Sequence, residues 1–514
     1  MINSYNLYTM HETTRTNVIV NLTRTIVLTI LSFITFPFVC RVLGDQTLGL
    51  YAWANTFVYY FLILARISIP NFAIRECVRV RDDKAALSKK AQEFFILQAI
   101  TTVLSFSLML AFVFSVPELF SHREIIFILS INFLTGVFSF EWIFIALEKH
   151  FYMAMRSIVI LTISAIGTFV FVKYPEDIYL YAFFTVGVTV LTVISNLFYL
   201  PKYVSFKKTG SYDFKSYIKH LLVLFSISVV LSLYNQSDTF ILGFLNADKA
   251  EVGSYSVGLK GVDVIIAITT SLSVVFMPRA SYYYQLEDKS FFHKLTKYSA
   301  NITIFIAIPA IASMTTLSEP ITRLISGNYL GVGGDFQESW TILVILASIM
   351  LTYSIGDIIY TQILIPMKKE KIYLYTILIG AVLDIALSVV LGLFVFKDHP
   401  AIGVALATAV TDALIIAFLL FKTRQWTRPA FFNLNSLKIV SLGIVVAVIC
   451  FFIGPMLFDA YMAEFAGNYT SAYLAELISA VAISGVVYLV GLLLLKEDLV
   501  SSFVRKKPAA IISK

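Results

Sequence analysis

Apolar windows of about twenty residues follow one another from residue 16 to residue 495 with only short gaps, and that spacing leaves the chain very few folds. Each window is long enough to cross the roughly 30 Å hydrocarbon core of a bilayer as a helix. Fourteen can be drawn, at 16–40, 47–69, 92–116, 124–147, 154–172, 178–200, 220–245, 252–277, 298–318, 339–365, 372–396, 402–421, 438–458 and 471–495. Alternating strands of about ten residues, the mark of an outer-membrane barrel, are absent. Hydrophobic residues make up 58% of the chain and charged ones 14%, which excludes an ordinary soluble domain. The expectation is an all-α integral membrane protein.

The windows group into a six-helix bundle at 1–200, a basic connector at 201–219 and a second six-helix bundle at 220–421. A loop at 422–437, two additional transmembrane helices at 438–495 and a basic tail at 496–514 complete the expected plan. A short internal echo supports two bundles. VCRVLGDQTLGLYAWA, at 39–54, and the later SDTFILGFLNADKAEVGSYSVGL, at 237–259, both place a Leu-Gly pair ahead of a Gly-x-Tyr entering the next window. Repeated bundles of this kind enclose midplane sites in transporters. The first window is too long for a signal h-region, so no cleaved signal peptide is expected. Cys40, Cys77 and Cys450 form neither a disulfide framework nor a metal-ligand spacing.

Loop charge sets the orientation. Thirty of the thirty-nine Lys and Arg fall on one set of alternate loops and six on the other, so both termini are expected in the cytoplasm of a multi-pass protein of the bacterial inner membrane. In this reading Arg156 belongs to the cytoplasmic loop 148–157, and Glu141 and Trp142 form an interfacial anchor. Arg24, Arg66 and Lys260 remain inside membrane windows.

An ionisable residue inside a span asks for a function or a partner, because inserting it costs on the order of 2.5–3.5 kcal/mol or more. Arg24 shares a helical face with Asn17 and Asn21 at i, i+4 and i+7, and lies about 12 Å into the first window at 1.5 Å per residue. It is either a packing arginine paired with a neighbouring helix or a cationic anchor for an anionic substrate. Asn55, Tyr59 and Arg66 share a face of the second window, where Arg66 is near enough to the end to snorkel. Lys260 and Asp263, at i, i+3, read as a self-neutralising pair or as substrate contacts. Asp238, Asp357, Asp384 and Asp412 read as protonated, hydrogen-bonded carboxylates or, together with Asp263, as sites for a coupling Na+ or H+. No other cofactor and no metal is expected.

Several pieces in order resemble one family. RVLGDQTLGLY at 41–51, RISIPNFAIREC at 66–77, SDTFILG with EVGSY at 237–255, FMPRAS at 276–281, LISGNYL at 324–330, TQILIPMKKEK at 361–371 and IGVALATAVTDA at 402–413 are similar to the bacterial polysaccharide-biosynthesis flippases, the Wzx type. These stand within the multidrug/oligosaccharidyl-lipid/polysaccharide exporter superfamily. Ile67-Ser68-Ile69-Pro70 departs from the family, which tends to carry an acidic, glycine-bearing stretch there. The resemblance implies two six-helix bundles working by alternating access. It implies a substrate made of an oligosaccharide repeat unit on undecaprenyl diphosphate, carried outward for O-antigen, capsule or exopolysaccharide synthesis. Arg24 and Arg66 match the superfamily habit of cavity cations. Expected partners are the lipid-linked oligosaccharide, membrane lipids and, beside them, polysaccharide polymerase and chain-length proteins; nucleic acid is not among them.

Three alternatives stay open on residues alone. A drug or cation antiporter, or a lipid II flippase, would be another branch of the same superfamily. An antiporter would centre on carboxylates, which Asp238, Asp357, Asp384 and Asp412 supply, while the two cations of the first helix pair speak against it. A membrane polymerase or ligase needs a sizeable outer loop for chemistry, and the longest, 319–338, has no acid/base constellation. The chain is therefore not expected to be an enzyme, and without a P-loop it carries no nucleotide-driven pump.

Overall fold

The structure, a computed structural model, describes residues 4–207, 212–245, 249–286, 288–327, 336–465 and 468–504. The described residues are helical with no strand, as bilayer-embedded backbone requires when every N–H and C=O must be bonded internally. Twelve helices among them are long and apolar enough to cross a membrane, so the expected count of fourteen is not reached. Two breaks account for the difference. The stretch Thr23–Val78 holds most of the first two expected windows and is divided at Gly44, whose φ of 72° departs from the helix. The expected window 124–147 is cut by Phe140, with φ 44°, into Arg123–Phe138 and Glu141–Ala146. At about 1.5 Å per residue the longer piece falls short of a full crossing.

The chain forms two compact units. The first comprises Met1–Leu43 and Leu50–Gln236, the second Gly44–Gly49 and Ser237–Lys514. The first unit takes in the connector, which is tied to the start of helix Lys84–Ser115. Gln92 Nε2 donates to the carbonyls of Ser205 and Lys207 at 2.7 and 2.9 Å, and the Ser205 amide donates to Ser88 Oγ at 2.9 Å. Tyr217 Oη donates to the Glu93 carboxylate at 2.6 Å. A packed core of Phe94, Phe140, Trp142, Phe144 and Tyr217 lies under these bonds.

In the second unit, helices meet where glycine removes a side chain. A Cβ on Gly253 would stand 2.1 Å from the Asp45 carbonyl oxygen, and one on Gly49 would stand 1.9 Å from that of Lys249. The two halves of the sequence echo therefore pack backbone to backbone. Leu434–Glu464 and Tyr469–Leu494, the two additional helices, each carry exposed apolar side chains and a buried stripe. Gly443 abuts Ile308, Tyr488 Oη donates to the Phe305 carbonyl at 3.1 Å, and both helices enter the unit's core. Glu476, on the second of these helices, is 4% exposed. Most of the tail and part of the 319–338 loop, including the end of LISGNYL, lie outside the described residues.

Candidate functional site

Two local breaks build the site inside the first unit. Ile67 and Ser68 take φ of 40° and 55°, and Phe140 takes 44°. A β-branched residue such as Ile67 at positive φ is a strained outlier of the kind that concentrates at functional sites. Short helices restart after each break, Ile69–Val78 with Pro70 in its first turn and Glu141–Ala146, and they pack on each other through buried apolar faces. The breaks set Arg66, Pro70 and Asn71 on one side, and Ser139, Glu141 and Trp142 on another, of a cavity of about 460 Å³. Arg24 and Arg156 also line it.

The charges in this cavity are organised around Glu141. Its Oε1 accepts from Arg156 Nη2 at 3.0 Å and from Arg24 Nη2 at 3.5 Å. Arg156 also donates to Asn196 Oδ1, and Asn196 Nδ2 in turn donates to the Ser139 carbonyl at 2.6 Å. The two arginines differ in freedom. The Arg156 side chain is 4% exposed and that of Arg24 is 24% exposed. Arg66 has no ion-pair partner among the described residues. Three guanidiniums against one carboxylate leave an excess of positive charge. Planar guanidiniums bind carboxylate and phosphate oxygens bidentately, and a partly desolvated site strengthens those bonds.

This corrects two expectations. Arg156 is not a loop charge: it sits in the second turn of helix His150–Phe171. Glu141 and Trp142 are not an interfacial anchor, since Trp142 is 7% exposed within the core and Glu141 is ion-paired in the cavity. The missed signal was small but present, a carboxylate inside one apolar window and an arginine two residues past the start of the next.

A second cavity, of about 380 Å³, adjoins the first and shares Arg66, Pro70 and Asn71 with it. Tyr59 lines it, whereas Asn55 is exposed and lines neither cavity. Asn17 and Asn21 lie on the first helix, but their side chains fall outside the described residues.

The candidate carboxylates lie in the second unit, and two of them come together. Asp238 Oδ2 accepts from Tyr255 Oη at 2.6 Å and Thr408 Oγ1 at 2.9 Å, while Asp384 Oδ2 accepts from Ser237 Oγ at 3.2 Å. Both are buried, and a side-chain hydrogen bond links the two carboxyl groups. Asp412 is separate, with Thr352 Oγ1 3.4 Å from its Oδ2. Asp357 precedes a π-helical turn at Ile359–Leu364, and Lys260 and Asp263 stand one turn apart on helix Ala250–Gln285. Among the described residues no three His, Cys, Asp or Glu side chains form a metal-binding group.

A multi-pass helical membrane protein with a cationic chamber among its helices belongs to the class of membrane transporters rather than that of soluble or barrel proteins. Residues 14–284 match the family described as polysaccharide biosynthesis protein, and the chain belongs to that family. It is similar to a "Putative O-antigen transporter" of Shigella dysenteriae, 25% identical over 399 residues that cover 76% of this chain and 94% of that protein. A protein of the same description from Escherichia coli strain K12 is 18% identical over 77% of this chain and 93% of its own. In fold it is similar to the lipid II flippase MurJ in an inward closed conformation, with a TM-score of 0.63 at 18% identity over 93% of this chain and 99% of the other. An inward-facing multidrug resistance transporter of the MATE family gives 0.59 at 13% identity over 80% and 99%.

Proposed function

We propose that this protein is a flippase that moves undecaprenyl-diphosphate-linked oligosaccharide units from the cytoplasmic to the outer leaflet by alternating access, for surface polysaccharide synthesis. The observation that carries the reading is the cavity lined by Arg24, Arg66 and Arg156, with Glu141 the one carboxylate among the described lining residues, in a chain of the polysaccharide biosynthesis family. A sugar diphosphate head moved bare through hydrocarbon would lose several kcal/mol for each unpaired polar group. Guanidiniums take over the phosphate bonds that water gave up, while the polyprenyl tail stays in lipid. With both termini in the cytoplasm, outward transfer of the anionic head is also favoured by about 2.3 kcal/mol per charge per 100 mV of interior-negative potential.

Arg156 is held by Glu141 and Asn196 and keeps Glu141 in place; Arg24, longer in its bond and more exposed, is the arginine free to turn to a phosphate. The buried Asp238 and Asp384 pair, with Tyr255 and Thr408, forms the site where Na+ or H+ couples transport to an ion gradient. The contact between the two buried carboxyl groups supports that role, because a proton or a cation held between them removes the repulsion of two neighbouring anions. The likeness of fold to a lipid II flippase favours one second reading, transport of lipid II itself.

A strain lacking this gene and supplied with Arg24→Gln tests the proposal. Normal expression with surface polysaccharide reduced to a small fraction is the expected result, and full polysaccharide would contradict it. Rescue of a strain depleted of its lipid II flippase, without effect on surface polysaccharide, would favour the second reading.

A further inference from the structure

The smaller cavity of the first unit differs in chemistry from the arginine chamber beside it. Its wall on helix Lys215–Leu245 presents Ser228, Ser232, Asn235 and Gln236, which follow one another at i, i+4, i+7 and i+8 and so form one stripe. A hydroxyl and carboxamide stripe in an apolar helix costs free energy unless it faces water or a polar ligand. Arg66, on the wall shared with the larger cavity, is the one charged residue among the described residues of the lining. Ser68 Oγ and Ser228 Oγ stand 2.7 Å apart and tie the strained break at Ile67–Ser68 to this stripe. Carboxamides and hydroxyls both donate and accept, which suits a ligand whose groups do the same.

We infer that the smaller cavity is a glycan subsite, which reads the hydroxyl and acetamido groups of the sugar next to the diphosphate, and that Ser232, Asn235 and Gln236 determine which sugar is accepted. This rests on the flippase reading above. The diphosphate lies among the arginines, Arg66 stands at the junction, and the first sugar enters the polar stripe. A site built to hydrogen-bond a hydroxyl or amide discriminates strongly against a ligand that lacks it, because its own polar groups are then left unpaired.

The test uses the full-length protein in lipid nanodiscs and two soluble probes, farnesyl diphosphate and farnesyl diphosphate bearing N-acetylglucosamine. Wild type is expected to bind the sugar-bearing probe at least about tenfold more tightly, the value of one good hydrogen bond or more. Asn235→Leu with Gln236→Met, close in shape to the native pair, should abolish that preference and leave the affinity for the sugar-free probe unchanged. Equal binding of both probes by wild type, or a double variant that weakens both or neither, would overturn the inference. Ser232→Ala removes a single hydroxyl and should lower affinity for the sugar-bearing probe alone; if the double variant fails to fold, an unchanged preference in Ser232→Ala would overturn the inference by itself. Failure of the flippase reading looks different: wild type would bind neither probe, or Arg24→Gln with Arg66→Gln would bind both as wild type does.

Discussion

The two units handle charge in opposite ways. The first leaves two of its three cavity cations accessible: Arg24 is 24% exposed and Arg66 is exposed as well, while Arg156 is buried. The second buries its carboxylates where only small groups reach, with Asp384 0% exposed and Asp238 7%. The contrast teaches that burial sorts ligands by size. Accessible guanidiniums suit a large polyanion, whereas a buried carboxylate pair suits a proton or a bare cation.

The strongest way to break the contrast is to unbalance the buried end of the first chamber. Arg156→Met removes the guanidinium donor to Asn196 Oδ1 and leaves Glu141, whose side chain is 35% exposed, with Arg24 as its ion-pair partner. The expected result is a clear drop in thermal stability of the purified protein, larger than for Arg24→Met; equal stability of the two variants would show that Arg156 is not the structural member. Next in size is Gly253→Ala, whose Cβ would meet the Asp45 carbonyl at 2.1 Å. Overpacking of this kind typically costs about 1–3 kcal/mol. A lowered melting temperature is expected, and an unchanged one would show that the contact relaxes freely.

The contrast is sharpened rather than broken by Asp384→Asn. This substitution keeps the shape of the side chain and removes the ionisable oxygen pair. Lipid transfer in vesicles should lose its stimulation by an imposed Na+ or proton gradient while transfer without a gradient continues. Stimulation equal to wild type would remove Asp384 from coupling.

Much of this molecule was legible in its sequence, for identifiable reasons. Apolar windows report helices directly because the bilayer allows little else, and Arg24 stood out because a charge at that depth is expensive. The Leu-Gly and Gly-x-Tyr echo pointed to an internal repeat, and in the structure its glycines 49 and 253 turn out to be mutual backbone contacts. What could not be read was set by backbone breaks. Phe140 and Ser68 are neither glycine nor proline, yet both take positive φ, so periodicity ran smoothly through the positions that re-aim Glu141 and Arg66. Arg156 was hidden for a related reason, since a charge near a window edge looks the same whether it faces solvent or another helix. The meeting of Asp238 with Asp384 joins residues far apart in the chain, which no local pattern encodes.

The central claim, that guanidiniums in the first unit carry a lipid-linked diphosphate across the membrane, is tested most directly by transfer of fluorescent undecaprenyl-diphosphate oligosaccharide in vesicles containing wild type or Arg24→Gln with Arg66→Gln. A fall in rate of at least about tenfold is predicted for the double variant, since each charged hydrogen bond contributes roughly 1.5–3 kcal/mol, with Arg24→Lys and Arg66→Lys retaining part of the activity. Transfer at the wild-type rate by the well-folded double variant would contradict the account.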